Sequence, residues 1–267
     1  MATEDGVENR VATTADVTGT TEAVRLVGVH KAYGGVQALH SVDLRLDFGQ
    51  VVALVGDNGA GKSTLLKVIA GAEQPDGGQI LVRGESVAVA SPDQASHLGI
   101  GTVYQDLALV LTLTVAQNMF LGQEMQVENK LLRRFGALDS RAMNKATEQT
   151  LLELGIHVDS VDQKVAMLSG GQAQSVAIGR AVQRGHDILL LDEPTAALGV
   201  VESSRVKTLV ERLRLRGIAI LMISHNIDEV VGLADAAYVM RRGSIIGEVR
   251  GSEVNRGRLV DLLKRDE

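Results

Sequence analysis

No cysteine occurs in the 267 residues. That excludes disulfides, thiolate metal sites and a cysteine nucleophile, while leaving the compartment open. Long apolar runs are missing as well. A stretch such as Ile218 to Ile223 is far shorter than the roughly 18 residues needed for a helix to cross a bilayer, so the chain is not expected to span a membrane. A positively charged start followed by an apolar run, as a secretion signal needs, is missing too. Glu4, Asp5 and Glu8 stand there instead, and export by that route is not expected. Basic residues do not predominate either: Lys+Arg 27 against Asp+Glu 33 leave a formal net charge of −6, which argues against a phosphate-backbone binder but not against a local basic patch. Aromatic residues are only 2%.

The rest of the composition is ordinary. Hydrophobic residues make up 45% and charged residues 22%, near the average for soluble globular proteins, which weighs against global disorder. At about 100 to 200 residues per domain, the length suits one large α/β domain or two small ones. Residues 1–22 are rich in Thr, Ala, Gly and acid without hydrophobic period, and read as a flexible tail. From Val24 strand-like and helix-like segments alternate, as in a sheet covered by helices. Val51 to Val55, Ile188 to Leu191 and Ile218 to Ile223 are short continuous apolar runs, suited to parallel strands buried on both faces. Between about Leu113 and Leu154 longer amphipathic stretches suggest a helical insertion. Tyr238-Val239-Met240 and Ser244-Ile245-Ile246, joined by Arg241-Arg242-Gly243, resemble a terminal hairpin. There is no internal repeat.

Gly56-Asp57-Asn58-Gly59-Ala60-Gly61-Lys62-Ser63 fits G-x-x-x-x-G-K-[ST] between an apolar strand and the helical run Thr64 to Ala70. Such glycines let the backbone curl until successive N–H groups point at one anion, and the helix start adds its positive end. Lys62 then reaches the β- and γ-phosphates, and Ser63 offers a hydroxyl to Mg²⁺. A chance match in a chain this long has odds on the order of one in a hundred. Asp192-Glu193 follows Ile188 to Leu191 at the strand end where open parallel sheets bind ligands. There Asp192 is the candidate Mg²⁺ holder and Glu193 the candidate general base. An isolated Asp-Glu is commonly a surface strand end, but beside a phosphate loop the catalytic reading gains weight.

Leu168-Ser169-Gly170-Gly171-Gln172 runs into a helical stretch from Ala173 to Gln183. Ser169 suits an N-cap, and the glycines expose N–H groups at a second anion site. One triphosphate hardly needs two such cradles from one chain, so this one is expected to serve a nucleotide held by another subunit. A plain helix cap accounts for Ser169 but leaves Gly170, Gly171 and Gln172 unexplained. Gln105, after strand-like Gly101 to Tyr104, is a candidate for touching Mg²⁺ or the attacking water, or is a solvated loop residue. His225, after Ile218 to Ile223, is a candidate γ-phosphate partner or a structural histidine. The other five histidines show no ligand spacing.

Together these segments resemble the ATP-binding cassette (ABC) family of ATPases: a phosphate loop at Gly56 to Ser63 with Thr64 beside it, a Q-loop glutamine at Gln105, a signature sequence at Leu168 to Gln172, Asp192-Glu193, and a switch histidine at His225, in the family's order. The resemblance implies a P-loop NTPase core of RecA-like parallel sheet with an antiparallel β subdomain and a helical insertion at about 106–168, the cassette spanning 23–251 and a C-terminal helix 252–267. It implies ATP and Mg²⁺ as cofactors. It also implies two cassettes facing head to tail, each signature closing on the ATP of the other. Tyr33 matches the place of an aromatic stacked on adenine, and with so few aromatics a Tyr in a turn suits that role, a packing or rim tyrosine being the alternative.

A finer resemblance is to the ATPases of monosaccharide importers of the ribose, xylose and fructose type, through Gly56 to Lys67, Thr102 to Leu109, Val115 to Gly122 and Glu193 to Val200, in single-cassette form. It implies separate membrane permease subunits contacted by the helical insertion, a periplasmic or extracellular sugar-binding protein acting indirectly, and a peripheral position on the cytoplasmic face of the membrane. The pattern departs from most cassettes at Gly199, where an Asp is usual, at Ala173 and at Leu111-Thr112. None of these removes a phosphate, Mg²⁺ or water-activating group. A soluble cassette acting on DNA or ribosomes is the alternative; it needs a long coiled coil, a basic surface or fused cassettes, whereas the chain shows no sustained heptads, a net negative charge and one cassette. An importer of a non-sugar solute and a regulatory cassette that binds ATP without cleaving it stay open as well, the latter opposed by Glu193 and His225.

Overall fold

A computed structural model describes residues 21–129, 133–196 and 198–264. The flexible-tail reading of residues 1–20 therefore lies outside the described residues. Glu22, counted with that tail from composition, is the first residue of β1, where it pairs with Asp47.

The sheet at the centre has six strands. β3 (Val51–Val55), β6 (Ile100–Val103), β7 (Ile188–Asp192), β8 (Ala219–Ile223), β9 (Ala236–Arg241) and β10 (Ser244–Arg250) lie in the order β10-β9-β3-β8-β7-β6. All neighbours run parallel except the β9/β10 hairpin, which is antiparallel. β3 and β8 are buried at every residue, as continuous apolar runs covered on both faces must be. The two-residue period sorts them: Val51, Ala53 and Val55 enter one core, and Val52 and Leu54 enter the other.

One core packs against a four-stranded antiparallel sheet of order β2-β1-β4-β5, built from β1 (Glu22–Tyr33), β2 (Val36–Asp47), β4 (Gly77–Val82) and β5 (Glu85–Val87), and against α1 (Lys62–Ile69) and α2 (Pro92–His97). The other core packs against α3 (Val115–Phe120), α4 (Ser140–Leu154), α5 (Gly170–Gln183) and α6 (Val200–Leu215). Then come α7 (Ile227–Leu233) and, after a short 3₁₀ turn at Gly251–Glu253, α8 (Arg256–Lys264). This is an α/β fold of the P-loop NTPase type, with an antiparallel sheet and a helical layer added to the parallel core.

Helix starts follow local chemistry. Thr114 and Ser169 each form a reciprocal capping box, with Gln117 and Gln172 respectively, and Asp139 and Asn226 cap α4 and α7. α1 breaks the pattern: Gly61 precedes it at φ 102° and no side chain caps it. Because β3, β6, β7 and β8 are parallel neighbours in one sheet, the segments leaving their C-terminal ends emerge along one edge. Those segments carry the phosphate-loop pattern, Gln105, Asp192-Glu193 and His225.

Candidate functional site

The loop from Gly56 to Gly61 is shaped by backbone that side chains would obstruct. A Cβ on Gly56, at φ 151°, would come within 2.2 Å of the Met240 carbonyl oxygen, and one on Gly61 within 2.7 Å of that of Ala38. The turn is closed by Ala60 N–H donating to the Asp57 carbonyl at 3.1 Å and by Gly243 N–H donating to that of Ala60 at 2.9 Å. Asp57, Asn58, Gly59 and Ser63 are exposed, Ala60 is buried and Thr64 is half-buried. With no capping side chain, the first N–H groups of α1 face the same place, which is the arrangement that attracts an anion.

Lys62 folds back over this loop. Its ammonium donates to the carbonyls of Gly56 at 2.6 Å and Asp57 at 2.8 Å, and the side chain is only 7% exposed. Burial pushes its pKa down, while Glu193, Asp57 and Asp192 hold it up. Asp192, half-buried at the end of β7, is pushed the other way: burial and then the adjacent Glu193 raise its carboxyl pKa, against Lys62 and Lys67. A cation beside Asp192 would relieve that penalty.

Glu193 has left-handed backbone, φ 50°, and its N–H donates to the Ile223 carbonyl at 3.0 Å. Its Oε1 lies 3.2 Å from Nδ1 of His225, which is exposed. A cleft of about 530 Å³ takes in Gly56, Asp57, Asn58, Gln105, Glu193 and His225. A second, of about 510 Å³, lies along Asn58 to Thr64 with His40 and Arg242, and shares Asn58 and Glu193 with the first. The phosphate loop, Gln105, Glu193 and His225 therefore converge.

Two predicted parts stand outside these linings. Tyr33 stands exposed at the end of β1 with the Lys31 ammonium 5.5 Å from its ring centroid; it lines neither cleft itself, but it pairs with Val36, which lines the second. Gly171 and Gln172 line a separate cleft of about 600 Å³ between the segment after α4, α5 and α6, which shares no lining residue with the other two. The structure also accounts locally for residues that a plain cap left unexplained. Gln172 Oε1 accepts from the Ser169 N–H at 3.0 Å, and its amide donates to the His157 carbonyl at 3.2 Å. Gly171 is buried where a Cβ would meet Glu202 Cβ at 2.7 Å, and a Cβ on Gly170 would stand 3.0 Å from Leu198. Both glycines lie inside α5, which starts earlier than Ala173.

Sequence reasoning missed several residues behind the site. Arg180 of α5 donates to the carbonyls of Leu107 and Ala108, each at 2.9 Å, fastening the segment after Gln105 to the helix that Ser169 caps. Half-buried Thr195 and buried Ser224 and Glu229 form a hydrogen-bonded group. The Asn226-x-x-Glu229 spacing, a helix-start signature, was the available signal.

The profile of the ABC transporter family matches residues 39–196. The chain belongs to that family. Its enzyme class is that of the ABC ATPases. It is 43% identical over 88% of its length to the xylose/arabinose import ATP-binding protein of Sulfolobus acidocaldarius, covering 91% of that protein. Identity to the fructose import ATP-binding protein of Rhizobium meliloti is 45% over 81% of this chain and 84% of the relative. In structure it is similar to an ABC-transporter cassette crystallised in its ADP conformation, with TM-score 0.78, 30% identity, and coverage of 91% of this chain and 98% of that one. Among the described residues of this cassette, no helix is long and apolar enough to cross a membrane.

Proposed function

We propose that this cassette hydrolyses ATP to drive import of a simple sugar through separate membrane permease subunits, as a peripheral subunit on the cytoplasmic face, fed by a sugar-binding protein outside. The observation that carries hydrolysis is the Glu193–His225 contact at the mouth of the phosphate loop. The sugar rests on the names of the relatives, both sugar-import proteins.

In this reading the N–H groups of Gly56 to Thr64 bind the phosphates, and the Lys62 ammonium exchanges two neutral carbonyls for anionic oxygens. Adenine stacks on Tyr33. Water attacks the γ-phosphorus, the bond to the bridging oxygen breaks, ADP leaves, and Glu193 accepts the water proton. His225 holds Glu193 and the γ-phosphate region in register, with Gln105 beside them. The donors fit Mg²⁺: an exposed Ser63 hydroxyl, the Asp192 carboxylate and the Gln105 amide oxygen are all hard oxygen ligands. The ion would supply charge neutralisation at the β- and γ-phosphates.

The separate cleft lined by Gly171 and Gln172 supports a shared site, in which Ser169, Gly170, Gly171 and Gln172 of one cassette close on the ATP of a second, in a homodimer. ATP drives that closure only by being held more tightly in the closed pair. The test is turnover against oligomeric state. Activity should rise with self-association and fall when Ser169 or Gly170 is replaced; full activity in a strictly monomeric preparation would overturn the shared site. Co-purification with a permease, without nucleic acid, checks the transport role.

A further inference from the structure

Glu229 is 1% exposed, the one buried carboxylate among the described residues. It sits at the third position of α7, where Asn226 Oδ1 accepts from its N–H at 3.2 Å and from that of Asp228 at 3.0 Å. A glutamate at that position ordinarily turns back to the N–H of the capping residue. Here that N–H donates to Ser224 Oγ at 3.1 Å, and the carboxylate turns inward. Its Oε2 accepts from the Ser224 hydroxyl at 2.5 Å and its Oε1 from that of Thr195 at 2.7 Å.

Taking a carboxylate out of water is costly unless its lone pairs are met. Here each oxygen accepts a hydroxyl hydrogen, and the two hydroxyls belong to different loops. Thr195 follows Glu193 by two residues, and Ser224 immediately precedes His225. A carboxylate can accept on both oxygens at once; an amide has one acceptor oxygen and must release or reverse one of the two bonds. The Glu193 N–H to Ile223 carbonyl bond laces the same two loops through backbone. Glu229 is the side-chain tie.

We propose that Glu229 is a positioning residue for hydrolysis, holding the loops after β7 and β8 at the spacing where Glu193 and His225 meet. This rests on the ATPase reading above and adds a residue to it.

The test uses the full chain. Glu229→Gln should lower turnover at saturating ATP about 10- to 100-fold, the scale of a misplaced catalytic group, with KM and Kd for ATP within about twofold of the parent. Thr195→Val combined with Ser224→Ala should match it. In a His225→Ala background the same Glu229→Gln change should cost less than about twofold, because the geometry it protects is gone. The ring Cε1–H signal of His225 in NMR should move in Glu229→Gln as it does in Glu193→Gln, without ATP present. Unchanged turnover, an undiminished loss on top of His225→Ala, or an unmoved ring signal would each overturn the proposal. If Glu229→Gln does not fold, the two hydroxyl variants carry the same measurements. If instead Glu193→Gln hydrolyses ATP normally, the base assignment fails, and the ring signal still decides the role of Glu229.

Discussion

His225 Nδ1 lies 3.2 Å from Glu193 Oε1, although the two residues leave different strands and are separated by α6 and β8 in the chain. Parallel pairing of β7 with β8 makes them neighbours. If Glu193 is the base, Glu193→Gln should leave ATP affinity intact and cut turnover about 10²- to 10⁴-fold. His225→Ala should lower turnover as well, with little change in Kd. Phosphate release and nucleotide titration, run on both variants, check this.

A Lys62 variant tests binding apart from chemistry. Among the described residues no carboxylate is in hydrogen-bond contact with the Lys62 ammonium, which donates to the Gly56 and Asp57 carbonyls, so replacing those with phosphate oxygens strengthens its bonds. Lys62→Ala should weaken ATP binding itself, by tenfold or more, on the order of a lost charge-assisted hydrogen bond. Equilibrium binding of ATP measures it, and normal affinity would count against the phosphate loop.

Gly171 makes the packing of the signature helix testable. Alanine gains up to about 1 kcal/mol over glycine inside a helix, yet a Cβ 2.7 Å from Glu202 Cβ forces α5 and α6 apart. Overpacking of this kind costs about 1–3 kcal/mol, so Gly171→Ala should destabilise the chain. Glu202→Gly should recover part of the loss in the double variant, since it removes the opposing atoms. Urea denaturation of the four chains closes the cycle.

Asp192 predicts a pH dependence. Burial and Glu193 make the folded chain hold this proton more tightly than the unfolded chain does. Folding then takes up a proton between the ordinary aspartate pKa and the raised folded one, so stability falls as pH rises through that window. Asp192→Asn should raise Tm at neutral pH by about 1–3 °C, a small amount because the group is partly solvated. The gain should fade as pH falls into the ordinary aspartate range. Thermal scans of both chains between pH 8 and 4 decide it, and a destabilised variant at neutral pH would contradict it.

Much of this site was legible in residue order because its parts are local. A glycine-rich turn between an apolar strand and a helix, two acids ending a strand and a serine before a helix each declare themselves within about ten residues. Gly171 and Gln172 show where that legibility ends. Read along the chain they suggested an anion cradle, whereas folded they also answer to Glu202 and to the Ser169 N–H. Arg180 and Glu229 gave weaker signals still, since their partners lie far away in sequence or were disguised by a helix cap.

By itself the sequence determined the apolar runs that had to become buried strands, the backbone turns that only glycine permits, and the chemical types available to a nucleotide. Tertiary structure alone decided which strands became neighbours. A parallel sheet sends the C-terminal ends of its strands to one edge whatever their separation in the chain, and that is why Lys62, Gln105, Glu193 and His225 gather around the Gly56 to Gly61 loop while Gly171 lines a separate cleft.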